Sequence, residues 1–269
     1  LARVTISGKK NTENVMTILR PVEGVAIYAS KKTEVIQLRN ITANLASNRA
    51  RQVFAQVAGL NIWESDCAGI QIGVGGRGLS PNRSENFNTR QNGYDIAADA
   101  LGYPESYYSP PMLAVQKIEV VRGAASLQYG PQFGGMLNFV MKEGSDSSKL
   151  EVESIQTIGS YGFFNTYNAV GGTIGRINYY ASFQYRLGKC WRCNSGFENY
   201  NAYASLKYST KKGTTIKAEY TRMAYLAQQA GGLTDAQFNS DPQAAYRDRN
   251  WFRVRWNVMS LSLKHNFSS

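Results

Sequence analysis

The stretch Arg176-Ile177-Asn178-Tyr179-Tyr180-Ala181-Ser182-Phe183-Gln184-Tyr185-Arg186 decides how the second half of this chain is built. Ile177, Tyr179, Ala181, Phe183 and Tyr185 fall on one side of a two-residue repeat, and Asn178, Tyr180, Ser182, Gln184 and Arg186 fall on the other. Period 2 is the mark of a β-strand with one apolar face. The pattern recurs downstream: Tyr200, Ala202, Ala204, Leu206 and Tyr208 oppose Asn199, Asn201, Tyr203, Ser205 and Lys207. It returns again in Ile216, Ala218 and Tyr220 against Lys217, Glu219 and Thr221. Short Gly-bearing turns at 171–175 and 209–213 alternate with longer connections at 187–196 and 227–250. Short turns at one end and long loops at the other are the layout of a transmembrane β-barrel, whereas a sandwich has no need of that asymmetry. Two segments, 149–158 and 251–267, lose phase midway, and a β-bulge in each, or strand ends that lie elsewhere, would account for it. About six strands are expected after residue 145. Six such strands leave open edges, which a bilayer does not tolerate, so more strands are needed to close the barrel.

Composition agrees with that reading. The chain has 269 residues, 43% of them hydrophobic, yet its mean hydropathy is only −0.37. Strands that alternate lipid-facing and lumen-facing residues give such a modest average. No apolar run approaches the roughly 18 residues of a membrane helix. Tyr occurs 17 times, and barrels place aromatic girdles at both bilayer boundaries. The net charge of +11 invites a nucleic-acid reading, but Lys9-Lys10, Lys31-Lys32 and Lys211-Lys212 are the only lysine doublets, so no basic stripe forms. The chain starts at Leu1 without a signal peptide, as a mature protein or a fragment does. Cys190 and Cys193 bracket Trp191 and Arg192, and Cys67 stands alone. One such pair without a second pair or a nearby His is a poor zinc signal, and a local disulfide in an exposed loop is the expectation. The single His, His265, has no Ser or Cys with which to form a catalytic set. The expectation is no enzyme, no cofactor and no metal site.

The first half has a different grammar of short segments separated by glycines, and the polar run 143–148 reads as the connector between halves. Three motifs stand in order there. Residues 51–62 suggest a short helix, a turn at Ala58-Gly59 and a strand. Residues 70–79 suggest a strand ending in Arg77-Gly78. Residues 117–130 run Lys-Ile-Glu-Val-Val-Arg-Gly-Ala-Ala-Ser-Leu-Gln-Tyr-Gly and continue through Gly134-Gly135 to Asn138-Phe139-Val140. Taken together these resemble the plug domain of TonB-dependent outer-membrane receptors, and with the later strands the resemblance covers nearly the whole chain. One departure is Ala58, where the family's turn usually has Pro. Residues 77–83 and 129–140 resemble the ferric citrate receptor subgroup.

That resemblance implies an α+β plug domain followed by antiparallel transmembrane β-barrel strands, about 6 of a presumed total of about 22. Residues 1–20 would be a tail, 21–145 the plug and 146–269 the start of the barrel. It implies a receptor in the outer membrane of a Gram-negative bacterium that imports a ferric chelate, ferric citrate or a similar carboxylate siderophore, without covalent chemistry. Its partners would be TonB with the inner-membrane energising complex, the chelate and outer-membrane lipid. Val4, Thr5, Ile6 and Ser7 resemble a TonB box, a segment that pairs by strand addition. Arg77, Glu119 and Arg122 would latch the plug to carboxylates of the barrel wall, since an Arg fork binds carboxylates bidentately. Glu151 and Glu153 are candidate partners within this chain. The outward plug loops, 80–94 and 97–111, would carry the ligand contacts, with Asn82, Arg83, Arg90, Gln91, Tyr107 and Tyr108 as candidates, and Arg186, Lys189 and Arg192 adding positive charge. Haem, cobalamin or another siderophore is the alternative cargo within this class. Outside it stand a surface binding protein or adhesin that transports nothing, and a soluble nucleic-acid binder.

Overall fold

The computed structural model describes residues 16–23, 26–29, 32–64, 66–98, 106–132 and 134–267. Two six-stranded sheets organise them. The first belongs to a globular unit and combines β1 (Met16–Thr17), β4 (Thr33–Gln37), β7 (Phe87–Gln91), β8 (Tyr94–Asp95), β9 (Val115–Arg122) and β10 (Gly135–Met141), in the order β1-β4-β9-β10-β7-β8. Two small hairpins accompany it, β2 (Val22–Glu23) with β3 (Ala26–Ile27), and β5 (Leu60–Trp63) with β6 (Gly73–Gly76). β1 lies inside the range expected to be tail, because Met16 and Thr17 pair with Ile36 and Val35. β9 and β10 form the centre: Ile118, Val120, Leu137, Phe139 and Met141 are all buried and pack on Val53 of the short helix α1 (Ala50–Val53) and on Val74. The motif Arg122-Gly123 ends β9 because Gly123 takes φ +65°, and a Cβ there would fall 2.8 Å from the Arg77 guanidinium.

The second sheet is a simple antiparallel meander of β11 (Glu151–Gly159), β12 (Phe163–Ile174), β13 (Ile177–Gly188), β14 (Phe197–Ser209), β15 (Thr214–Gln228) and β16 (Trp251–His265). Its burial is the reverse of a soluble sheet. The polar faces are buried: Asn165, Asn178, Gln184, Arg186, Asn199, Asn201, Ser205 and Thr221 all lie inside, against the globular unit. The apolar faces are bare: Leu206 is 53% exposed, Met259 81%, Leu261 78% and Leu263 70%. A sheet that turns its hydrophobes outward is stable only where the outside is hydrocarbon. The globular unit therefore sits as a plug on the concave, polar side of a barrel wall. No helix among the described residues is long and apolar enough to cross a membrane, which leaves the crossing to strands.

The two expected bulges do not exist. β11 pairs with β12, and β16 with β15, in unbroken register. The phase losses are changes of chemistry on a regular backbone: Val254 and Trp256 are apolar yet face inward and pack on the plug, while Met259, Leu261 and Leu263 face outward. Between the sheets, the connector is held by Glu143, which ion-pairs with Lys207 and, at 3.1 Å, with Lys217, and by Asn178, whose side chain bonds both backbone groups of Gly144. Leu206→Arg, on the bare face, is expected to cost about 2–4 kcal/mol of folding free energy in lipid, against about 0–1 kcal/mol for Ser209→Arg at the strand end. Urea-dependent folding of the full-length protein into vesicles measures both.

Candidate functional site

Plug and wall converge at the long-loop end around one plug loop, residues 66–71. Within the plug, the Asp66 carboxylate accepts from the Ile70 and Gln71 amides at 3.2 and 3.1 Å. Asn48, fully buried, donates to the Gly69 carbonyl at 2.9 Å and accepts from the Met112 amide at 2.7 Å. The wall reaches the same loop three times. Arg186 of β13, 1% exposed, donates to the Ala68 carbonyl at 2.8 Å. Gln71 donates to the Tyr225 hydroxyl at 3.2 Å. Cys67 and Cys190 form a disulfide, with Cα atoms 6.0 Å apart. The expected local pairing of Cys190 with Cys193 is thus replaced by a bond between plug and wall, and Cys193 is free and exposed. The plug's three-residue Asp-Cys-Ala turn meets the outer end of β13, so chemistry that looked local in sequence is tertiary.

Beside this anchor opens a recess of about 950 Å³, lined by plug residues in 44–52, 63–64 and 66–68 and by wall loops near 159–163, 189–197 and 227–232. Its cations are Arg49, Arg51, Lys189 and Arg192, and its acids are Glu64 and Asp66. Glu64 is already engaged: it pairs with Arg49 at 3.5 Å and accepts from the Arg51 amide at 3.1 Å. Arg192 braces the two long loops, donating to the Gly231 and Ala244 carbonyls at 2.6 Å each. Arg51 and Lys189 are exposed, and among the described residues no carboxylate pairs with either. Trp63 and Trp191 add half-exposed indoles. Burial pushes the Asp66 carboxyl above its ordinary value, against the opposing pull of the Ile70 and Gln71 amides and the Arg186 charge. The recess is therefore a net cationic, aromatic-edged bowl suited to a multiply charged anion.

The residues singled out from sequence lie elsewhere, and none of the six ligand candidates lines the bowl. Asn82 and Arg83 sit on a single 3-10 turn, 82–84, packed beside β6. Arg90 is committed to Asn88, the Gly93 carbonyl and the Tyr129 carbonyl, each at 2.6 Å. Gln91 is fully buried and bonds Tyr94 at 2.6 Å, Thr221 of the wall at 2.9 Å and Tyr108, whose hydroxyl donates at 2.8 Å. The Tyr107 ring is tilted by 54° against Phe252, at the start of β16, with centroids 6.3 Å apart. The loop 80–94 folds back into the plug sheet as β7 and β8, which is why its polar side chains are spent internally. The latch residues likewise find partners within the plug: Arg122 pairs with Glu34 and donates to the Ala58 carbonyl, and Glu119 accepts from Asn138 at 2.8 Å and pairs with Lys117 at 2.7 Å. Arg77 is exposed beside Gly123. Glu153 takes Lys142 at 2.8 Å, not a plug arginine. Val4, Thr5, Ile6 and Ser7 lie outside the described residues. Sequence reasoning passed over Asn48, Asp66 and Arg51; the unpaired Cys67 beside an Asp was the one signal that could have located the anchor.

Comparison with known proteins follows the same division. Residues 25–136 match the TonB-dependent Receptor Plug Domain family. The ferric citrate transporter FecA, in its unliganded form, superposes with a TM-score of 0.75 at 22% identity, over 89% of this chain and 38% of that one. FpvA of P. aeruginosa, bound to a heterologous pyoverdine, gives 0.68 at 17% identity, over 88% and 32%. The ferric-catecholate import receptor Fiu of E. coli K12 gives 0.58 at 18% identity, over 73% and 27%. The chain thus spans less than two fifths of the length of these structures. What they share with it at such identities is the fold.

Asp66 gives the anchor a pH dependence. A carboxyl whose folded-state pKa is raised contributes stability that is present below its unfolded value, about 3.9, and lost as pH rises through the folded value. Urea stability of the full-length protein should therefore fall as pH climbs from about 4 toward neutrality, and Asp66→Asn should flatten that slope. Arg186→Gln should cost about 1–3 kcal/mol, for the lost charged hydrogen bond and the orphaned Ala68 carbonyl.

Proposed function

We propose that the chain is part of a TonB-dependent receptor, with a plug and six strands of the barrel, and that it takes part in importing a ferric chelate across the outer membrane of a Gram-negative bacterium. The cationic bowl at the long-loop end carries this reading. Long loops face the cell exterior in such barrels, so the bowl opens to the medium, where a scarce chelate must be captured. Arg51 and Lys189 would supply the free charge, Arg49 and Arg192 the fixed positive frame, and Trp63 and Trp191 apolar edges. Carboxylate-rich chelates such as ferric citrate fit a site of guanidinium and ammonium groups better than neutral or cationic cargo does.

Gln91, Tyr108 and Arg90 take a different part in this account. Gln91, held by Tyr108, links the plug to mid-wall through Thr221 by hydrogen bonds alone, so these are the bonds that exchange when the plug shifts, while Arg90 holds the β7–β8 turn within the plug. Arg77, Glu119 and Arg122 stiffen the plug sheet that must move. The force arrives through Val4, Thr5, Ile6 and Ser7, which would add as a strand to TonB. Nothing in the bowl performs covalent chemistry on the cargo; the ferric ion is carried within its chelate.

Two measurements follow. Calorimetry on the full-length receptor should give tighter binding of ferric citrate than of ferric catecholates, and Arg51→Gln/Lys189→Gln should weaken the citrate complex at least tenfold. Preference for a catecholate, or no effect of the double variant, contradicts the ligand assignment. Deleting residues 1–10 should abolish uptake while leaving binding intact. Uptake that survives the deletion rules out this coupling segment, and binding without uptake by the unaltered receptor favours a surface binding protein.

A further inference from the structure

The outer face of β13–β16 carries a second feature, remote from the bowl. Two successive cross-strand rows, Ala181-Ala204-Tyr220-Met259 and Tyr179-Leu206-Ala218-Leu261, enclose a groove of about 700 Å³ on the lipid-facing side. Three alanines form its floor, and Tyr179, Tyr220, Leu206, Leu261 and Met259 raise its sides. Barrel exteriors present large apolar side chains; here the small residues open a groove between them.

Directly beyond the groove, toward the long loops, the same face turns cationic. Arg222 follows Tyr220 on β15 and stands opposite Asn257, and β16 continues with Arg255 and Arg253. Arg255 is a diagonal neighbour of Arg222, within reach of a long side chain. All three arginines are exposed, and among the described residues no carboxylate pairs with any of them. The only acid on the outer face of these four strands is Glu198, two strands from Arg253 and engaged by the Tyr185 and Tyr200 hydroxyls at 2.8 and 2.5 Å. Tyr220 marks the boundary: its ring lines the groove and its hydroxyl donates to Asn257 at 3.0 Å. An aromatic ring with one apolar and one wet end belongs at the hydrocarbon–headgroup boundary.

We propose that this face is a binding site for a phosphorylated membrane lipid, with an acyl chain in the alanine-floored groove and its phosphates on Arg222, Arg253 and Arg255. Three unpaired guanidinium groups call for more than the single charge of a phosphodiester. A lipid with phosphomonoester groups, each carrying about −1.5 to −2 charge at neutral pH, matches them, and the planar fork suits phosphate oxygens. The site rests on the reading of this sheet as lipid-facing, and it is independent of what the bowl binds.

The test uses the full-length receptor in neutral detergent, with diphosphoryl lipid A as the probe and bound lipid counted by native mass spectrometry. The receptor should retain the lipid, and R222Q/R253Q/R255Q should retain at least tenfold less, with β-sheet circular dichroism unchanged. Ala204→Phe/Ala218→Phe, which fills the groove and keeps the arginines, should lower retention several-fold. The same lipid stripped of its phosphates should bind at least tenfold less than the intact one, and inorganic phosphate at equal concentration should not displace the intact lipid. Equal retention by the arginine variant, equal binding of the stripped lipid, or displacement by phosphate alone overturns the proposal. Release of the receptor from membranes by a carbonate wash would instead overturn the lipid-facing reading beneath it.

Discussion

The polar inner face of the wall is the constraint on which everything else depends. Asn, Gln, Ser, Tyr and Arg side chains on β12–β15 are buried, and a buried polar group without a partner costs on the order of 1–3 kcal/mol. Some satisfy one another along the wall, as Gln184 does with Asn165 at 2.7 Å and Tyr167 with Tyr180 at 2.6 Å. Others need the plug: Arg186 meets the Ala68 carbonyl, Thr221 meets Gln91, and Tyr203 and Glu219 both meet Asn92. The plug replaces water as the wall's hydrogen-bonding medium. Its own core of Ile118, Val120, Leu137 and Phe139 lets it hold a shape while doing so.

The contacts between plug and wall are of unequal strength, and the inequality has a direction. At the long-loop end, a disulfide, a buried Arg and the Asp66 turn hold residues 66–71 to β13. At mid-wall, the β7–β8 turn is held by neutral amides and hydroxyls and by the Glu219 carboxylate on Asn92. At the connector, Glu143 and Glu153 hold lysines in partly exposed ion pairs, which contribute little individually. The anchored turn next to the cationic bowl is the most strongly held of these contacts.

Much of this was legible in the chain itself. Period-2 alternation located β13, β14 and β15, because a strand between lipid and a polar interior writes both environments into consecutive residues. The plug was legible through its ordered motifs. What failed did so for identifiable reasons. The apparent slips after Val152 and Val258 look like backbone irregularity in the sequence, whereas inward apolar residues such as Trp256 simply pack on the plug. The loop 80–94 looked like a wet ligand loop because Arg90, Gln91 and Asn92 are polar; in the fold they are interior hydrogen bonders. Cys67 lies 123 residues from Cys190, so no local pattern could join them, and the bowl that the bond flanks is assembled from both halves of the chain.

The central claim is that the first half of the chain occupies the concave face of the second, with residues 66–71 at the outer end of β13. Peptide mapping of the full-length receptor by mass spectrometry, under non-reducing conditions with free thiols blocked, tests it most directly. The account predicts one cross-linked pair joining the peptides of Cys67 and Cys190, with Cys193 alkylated. A link between Cys190 and Cys193, with Cys67 alkylated, would contradict it.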